Sequence, residues 1–192
     1  LGGDMAGVVT YTILINLLTA ILVPLTIPLI HPVEGMNFIT AFSRILAKVF
    51  PLLILPCLTA WLVRYLMPNI QKKLVRAKNL SFYIWAVSLM LAILMSTRAL
   101  FHHDGSSIVA VEIAVASLLS CIIQFAAGKA IGARYGYNER ITAGQSLGQK
   151  NTVFGIWMGY TFLDPVTSLA GGFYSIWHNC FNTWQLRRKE KE

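Results

Sequence analysis

Six long apolar runs, at 5–30, 49–67, 80–97, 107–128, 141–163 and 166–186, fill most of this 192-residue chain and decide what it can fold into. A bilayer core ~30 Å thick takes about 20 apolar residues as helix. Nothing alternates with a period of two over ten residues, as barrel strands do, and in lipid every backbone N–H and C=O must be paired. The chain therefore reads as all-α, a polytopic transmembrane helical bundle. Composition agrees: 56% hydrophobic, 12% charged and a mean hydropathy of +0.61 exclude a water-soluble globule.

The net charge of +8 comes from 16 Lys and Arg against 8 Asp and Glu. Loops at 31–37, 98–106 and 162–166 carry Glu34, Arg98, Asp104 and Asp164. Those at 68–79 and 129–140 carry Lys72, Lys73, Arg76, Lys78, Lys129, Arg134 and Arg140, and the tail adds Arg187, Arg188, Lys189 and Lys191. The positive-inside rule makes the second set cytoplasmic. With Arg64, twelve of the sixteen basic residues fall on that side, so the charge is topology and no nucleic-acid partner is implied. The expectation is a multi-pass protein of the plasma (inner) membrane, its C-terminus cytoplasmic. Ahead of the second span, Phe38, Phe42, Ile45, Leu46 and Val49 share one helical face and Arg44 and Lys48 another, which predicts a separate interfacial amphipathic helix over 36–50. The chain begins at Leu1, not Met, and reads as a fragment or processed product.

A lysine at the centre of a span costs at least ~2.5–3.5 kcal/mol. Lys150 is about ten residues into the fifth run, among Gln145, Ser146, Gln149, Asn151 and Thr152 and beside Gly144 and Gly148. This is the composition of a discontinuous helix lining a polar site, because irregular backbone at membrane depth survives only against protein or water. The bland alternative is a lysine paired with a distant carboxylate, for which Glu112 is the candidate. Gly144, Gly148, Gly155 and Gly159 would share one face of a continuous helix and admit a close neighbour. Packing is the reading for Gly155 and Gly159; Gly144 and Gly148 serve hinge or packing. In the first run Thr10, Thr12, Asn16 and Thr19 make a polar stripe, which hydroxyls bonding their own helix would also explain. Pro24 and Pro28 invite a kink, as Pro51 and Pro56 do in the second.

Other chemistry-bearing residues are weaker. His102, His103 and Asp104 share an outer loop without a supporting motif and read as solvated; His178 reads as a hydrogen-bonding partner for a neighbouring helix. Cys57, Cys121 and Cys180 lie in apolar runs with no metal-ligand spacing and read as buried thiols. No metal site and no cofactor are implied. Gly144-Gln145-Ser146-Leu147-Gly148 fits G-x-S-x-G, but a nucleophile elbow needs a strand before the serine.

The run SLGQKNTVFGIWMGYTFLDPVTSLAGGFYSIWHN resembles the bile acid:sodium symporter family, whose ninth helix carries an E-x-G-x-Q-N crossover signature and whose tenth ends Phe/Tyr-x-x-W-H-N. Tyr174, Trp177, His178 and Asn179 match the latter, and Gly3 to Pro28 is similar to the family's fifth helix. The resemblance implies helices five to ten of a ten-helix transporter, with the second of two inverted repeats complete. It divides the chain into a core-domain helix at 1–30, an outer loop and interfacial helix at 31–48, two panel helices at 49–100, three core helices including the crossover at 101–186, and a basic tail at 187–192. It also implies substrate or ion binding at Thr12, Asn16, Ser146, Gln149, Lys150, Asn151 and Thr152. The departures matter: Ser146 stands at the family's sodium-binding glutamate, Lys150 at its glutamine and Val8 at one of its hydroxyls. An ammonium repels Na⁺ in one cavity, so the sodium site is expected to be altered or absent.

The function expected is secondary transport of a small organic anion by alternating access, with no enzymatic activity. Its partners would be the substrate, the bilayer, and missing N-terminal helices or another copy. The alternatives are an intramembrane serine hydrolase using Ser146 and His178, and a non-transporting membrane scaffold.

Overall fold

The computed structural model describes residues 2–32, 35–101 and 107–190. Among them there is no strand, and eight helices occur in order: α1 (Met5–Ile30), α2 (Phe38–Leu66), α3 (Pro68–Arg76), α4 (Lys78–Phe101), α5 (Ser107–Gly132), α6 (Tyr137–Gly148), α7 (Thr152–Phe162) and α8 (Ser168–Lys189). Four are long and apolar enough to cross a membrane: α1, α2, Asn79–Phe101 of α4 and Ile108–Gly132 of α5. The protein is all-helical and of membrane type. Of the six expected spans, the fifth is divided between α6 and α7, neither long enough to cross alone. The sixth, α8, has the length, but its serines, asparagines, His178 and Gln185 leave it short of the others' apolarity. His102, His103, Asp104 and Glu34 lie outside the described residues.

The chain forms two compact units, Leu1–Thr10 with Ser88–Glu192, and Tyr11–Val87. In the second unit, Asn37 caps α2 by accepting a hydrogen bond from the Thr40 backbone N–H at 2.8 Å. From there α2 runs 29 residues, through Pro51 and Pro56. The segment read as a separate interfacial helix is the first half of α2. The reason is a single buried stripe, Ala41, Ile45, Val49 and Leu53, whose four-residue spacing crosses the supposed boundary without a break. Most of the expected loop 68–79 is α3, started by Pro68 at its first position, where a missing N–H costs nothing. In α1, Ala20, Pro24, Ile27 and Pro28 are buried, and the helix continues past both prolines to Ile30.

The first unit is built on close approach. The α5 and α6 helices form an antiparallel hairpin whose turn ends at Gly136, where φ is +143°, a conformation side chains resist. Along the hairpin a Cβ on Gly128 would strike the Ala143 backbone, and one on Gly132 the backbone of Glu139 and Arg140. From the α6 side, Gly144 lies on the Lys129 stem and Gly148 on the Phe125 ring. Phe125, Cys121 and Tyr174 make the buried core, with Trp177 and Phe181 of α8 packed against it. Phe125 and Phe181 have ring centroids 4.6 Å apart. Against α8, Gly171 meets Ile156 of α7, while Gly159 of α7 meets the Thr167–Ser168 backbone. Ser96 of α4 donates to the Ser168 carbonyl at 3.2 Å. The four glycines of the fifth run therefore do not form one face. Gly144 and Gly148 serve the α5 contact, Gly159 meets the start of α8, and a Cβ on Gly155 would meet open space, because the helix that would have aligned them is broken between them.

Candidate functional site

The break lies at Gln149–Asn151 and has a local cause on each side. Gly148 ends α6 against the Phe125 ring, and Gln149 is extended, at φ −80° and ψ 132°. Asn151, at φ −75° and ψ 80°, closes an inverse γ-turn in which Thr152 N–H donates to the Lys150 carbonyl at 2.9 Å. Its side chain then caps α7 by accepting from Phe154 N–H at 3.1 Å. Tyr174 fixes the other lip, its hydroxyl donating to the Gly148 carbonyl at 2.9 Å. Two helix ends thus face a three-residue link, with the C-terminal carbonyls of α6 on one side and the N-terminal amides of α7 on the other, the arrangement that offers partial charges of both signs at one place.

Ser146, Gln149, Lys150, Asn151 and Thr152 are brought together here. Ser146 and Thr152 are buried, whereas Gln149, Lys150 and Asn151 are exposed. Glu112 is elsewhere, exposed on α5 in a groove lined by Ile108, Val111, Val115, Ala116 and Leu119, and it forms no ion pair with Lys150. Thr12 and Asn16 belong to the second unit, Thr12 exposed and Asn16 half-buried on α1. The motif residues of α8 act as struts. Tyr174 holds Gly148, Trp177 Nε1 donates to the Ala114 carbonyl of α5 at 3.2 Å, and Asn179 donates to the Ser175 carbonyl of its own helix at 2.8 Å. The hydrogen bond expected from His178 to a neighbouring helix is absent at Nδ1, which is buried without a partner. The ring instead meets Tyr174 edge-on at 5.7 Å.

His178 belongs to a buried polar set of which the sequence reading singled out only Ser146 and His178 itself. Ser146 Oγ, Ser175 Oγ, His178 Nδ1, Asn182 Oδ1 and Gln185 Nε2 are all buried with no hydrogen-bond partner. Buried polar atoms are nearly always satisfied, so five in one unit mark a polar interior. Ser175, His178, Asn182 and Gln185 recur at i, i+3, i+7 and i+10 and share one face of α8, a periodicity visible in the sequence. A chain of side-chain amides joins this face to the break: Gln149 Nε2 donates to Gln145 Oε1 at 3.1 Å, and Gln145 Nε2 to Gln185 Oε1 at 3.4 Å.

Ser146 and His178 are not bonded to one another, and Ser146 is in the last turn of α6, with no strand before it. Among the described residues no group of three or more His, Cys, Asp and Glu could hold a metal ion. The cysteines differ from the expectation of three buried thiols: Cys121 is buried, Cys57 is half-buried and Cys180 is exposed on α8, away from the core that encloses Cys121. No protein-family model, curated protein or solved structure matches the chain.

Proposed function

We propose that this chain belongs to a secondary transporter that carries a small organic anion across the membrane by alternating access. On the template of the bile acid:sodium symporters it supplies helices five to ten, α6 and α7 being the two halves of the crossover, and its C-terminus is cytoplasmic. The observation that carries this reading is the break at Gln149–Asn151, in an otherwise helical, membrane-type chain. Non-helical backbone at that depth needs a protein or aqueous cavity to face, and a substrate site supplies one. The buried, unpartnered Ser146, Ser175 and His178 beside it support a polar interior over a packing seam. A serine hydrolase has less support, since its nucleophile and base would need the hydrogen bond that Ser146 and His178 lack.

Lys150 sets the coupling. With an ammonium where the family has a glutamine, and Ser146 where it has a carboxylate, a fixed charge stands in for bound sodium. The test is uptake by the natural protein in proteoliposomes with Na⁺ replaced by choline. The parent should retain uptake, Lys150→Ala should lose at least about tenfold, and Lys150→Gln with Ser146→Glu should acquire sodium dependence. Parent uptake that collapses without Na⁺ overturns the surrogate-cation reading, and organic-anion flux that never exceeds that of empty vesicles overturns the transporter.

A further inference from the structure

At the basic end of α5, α6 and α8 lies a cavity of about 210 Å³, smaller than the ~300 Å³ at which pockets for drug-sized ligands begin. Three helices converge on it: Lys129 from α5, Arg140 from α6, and Arg188 and Lys189 from α8, with no acidic side chain in its lining among the described residues. Like charges gathered in one hollow repel one another, and their placement is fixed by the fold. Lys129 Nζ stands 5.3 Å from the Phe181 ring centroid and the Arg188 guanidinium 6.0 Å from that of Trp184. The Gly144 and Gly132 approaches bring α6, and Arg140 with it, against α5.

A second observation is independent of charge. Gln185 lines the cavity, and its Nε2 is buried without an acceptor, while its Oε1 already accepts from Gln145. A buried donor left unmet costs about 1–3 kcal/mol, and the side chain that carries it forms part of the cavity wall. Exposed Tyr137 and Trp184 flank the opening, the residue types that settle at headgroup depth.

We propose that this cavity binds a phosphate-bearing anion. Arginine forks and lysine point charges from three elements are the groups that recognise phosphate oxygens, and basic pockets between membrane helices hold lipid headgroups by the same chemistry. The site is separate from the break and does not depend on the transport reading, although the Gln185–Gln145–Gln149 amide chain runs from one to the other.

The test has two arms. In nanodiscs of mixed phosphatidylcholine and phosphatidylglycerol, native mass spectrometry counts the lipid retained by the parent, by Lys129→Gln/Arg140→Gln, and by Lys72→Gln/Lys73→Gln, which removes the same charge from α3. The parent should retain phosphatidylglycerol preferentially, the pocket variant should bind it about tenfold or more weakly, and the α3 variant should stay within about twofold of the parent. In phosphatidylcholine alone, inorganic phosphate or pyrophosphate is titrated against the unfolding temperature. Phosphatidylglycerol retention without a phosphate effect assigns the site to a lipid headgroup, and a phosphate effect that the pocket variant abolishes assigns it to a soluble anion. A parent indifferent to both anions, or an α3 variant that loses as much as the pocket variant, overturns the proposal. If the pocket variant does not fold, the parent's retention decides: it should fall steeply between low and high salt, and retention indifferent to salt overturns the site.

Discussion

The two units of this protein solve the membrane problem in opposite ways. In the second, α2 buries a single file, Ala41, Ile45, Val49 and Leu53, and leaves Leu52, Leu55, Leu58, Trp61 and Leu62 outward. Lipid tails are as apolar as leucine, so such a helix gains little from burying more. The first unit brings backbones together through Gly128, Gly132, Gly144 and Gly148 and encloses serines, an imidazole and amides. The lesson is that close approach and buried polarity come together here. Small residues are spent where helices must be held rigidly enough to keep polar atoms away from lipid, and the greasy helices need no such precision.

Three pairs of substitutions press on that contrast. The largest effect should come from Phe125, which is 0% exposed and lies against both Gly148 and Phe181. Phe125→Ala should cost about 3–5 kcal/mol in reversible unfolding by SDS, against under about 1 kcal/mol for Leu55→Ala on the outward face of α2, which is 56% exposed. Equal losses would break the comparison. The next effect is at Gly132, where a side chain meets the Glu139 backbone, which cannot swing aside. Gly132→Val should lose about 1–3 kcal/mol in the same assay, while Gly155→Ala, with open space beside it, should be neutral or gain up to about 1 kcal/mol. A tolerated Gly132→Val would show that α5 and α6 can separate. The smallest effect sharpens the picture at the break: Asn151→Ala removes the α7 cap and should cost about 1 kcal/mol, and Asn151→Ser should restore most of it. Amide exchange at Phe154 reads the cap directly, and unchanged protection there in the alanine variant would mean the cap bond contributes nothing.

Much of this was legible because hydrophobic length and punctuation are local properties. The four long spans are implied by composition alone, and the break by Gly148 and Asn151, an end and a start signal three residues apart among polar side chains. The continuity of α2 was not legible. Its early turns carry Arg44 and Lys48 and look interfacial, and only the buried stripe shows them to be one element with the turns around Pro51 and Leu53. Gly128 and Gly132 escaped notice because their meaning lies in what α6 presents to them. The cavity at Lys129, Arg140 and Arg188 collects residues far apart in sequence, each of which reads singly as an ordinary basic residue near a helix end. The polar face of α8 was the avoidable omission, since its i, i+3, i+7, i+10 spacing is written in the chain.

The division of the fifth run has a mechanical consequence. A continuous helix transmits tilt from one end to the other like a rod. Here α6 is clasped to α5 by interlocked glycines and α7 is seated on α8, so each half has its main seat on a different neighbour, while the Tyr174 hydroxyl ties the end of α6 to α8. Between them stand Gln149, Lys150 and Asn151, with two soft dihedrals per residue, about six rotations in all. Any change in angle between the α5–α6 hairpin and the α7–α8 pair must be absorbed as torsion at those three residues, which makes the link a universal joint with a lysine at its pivot.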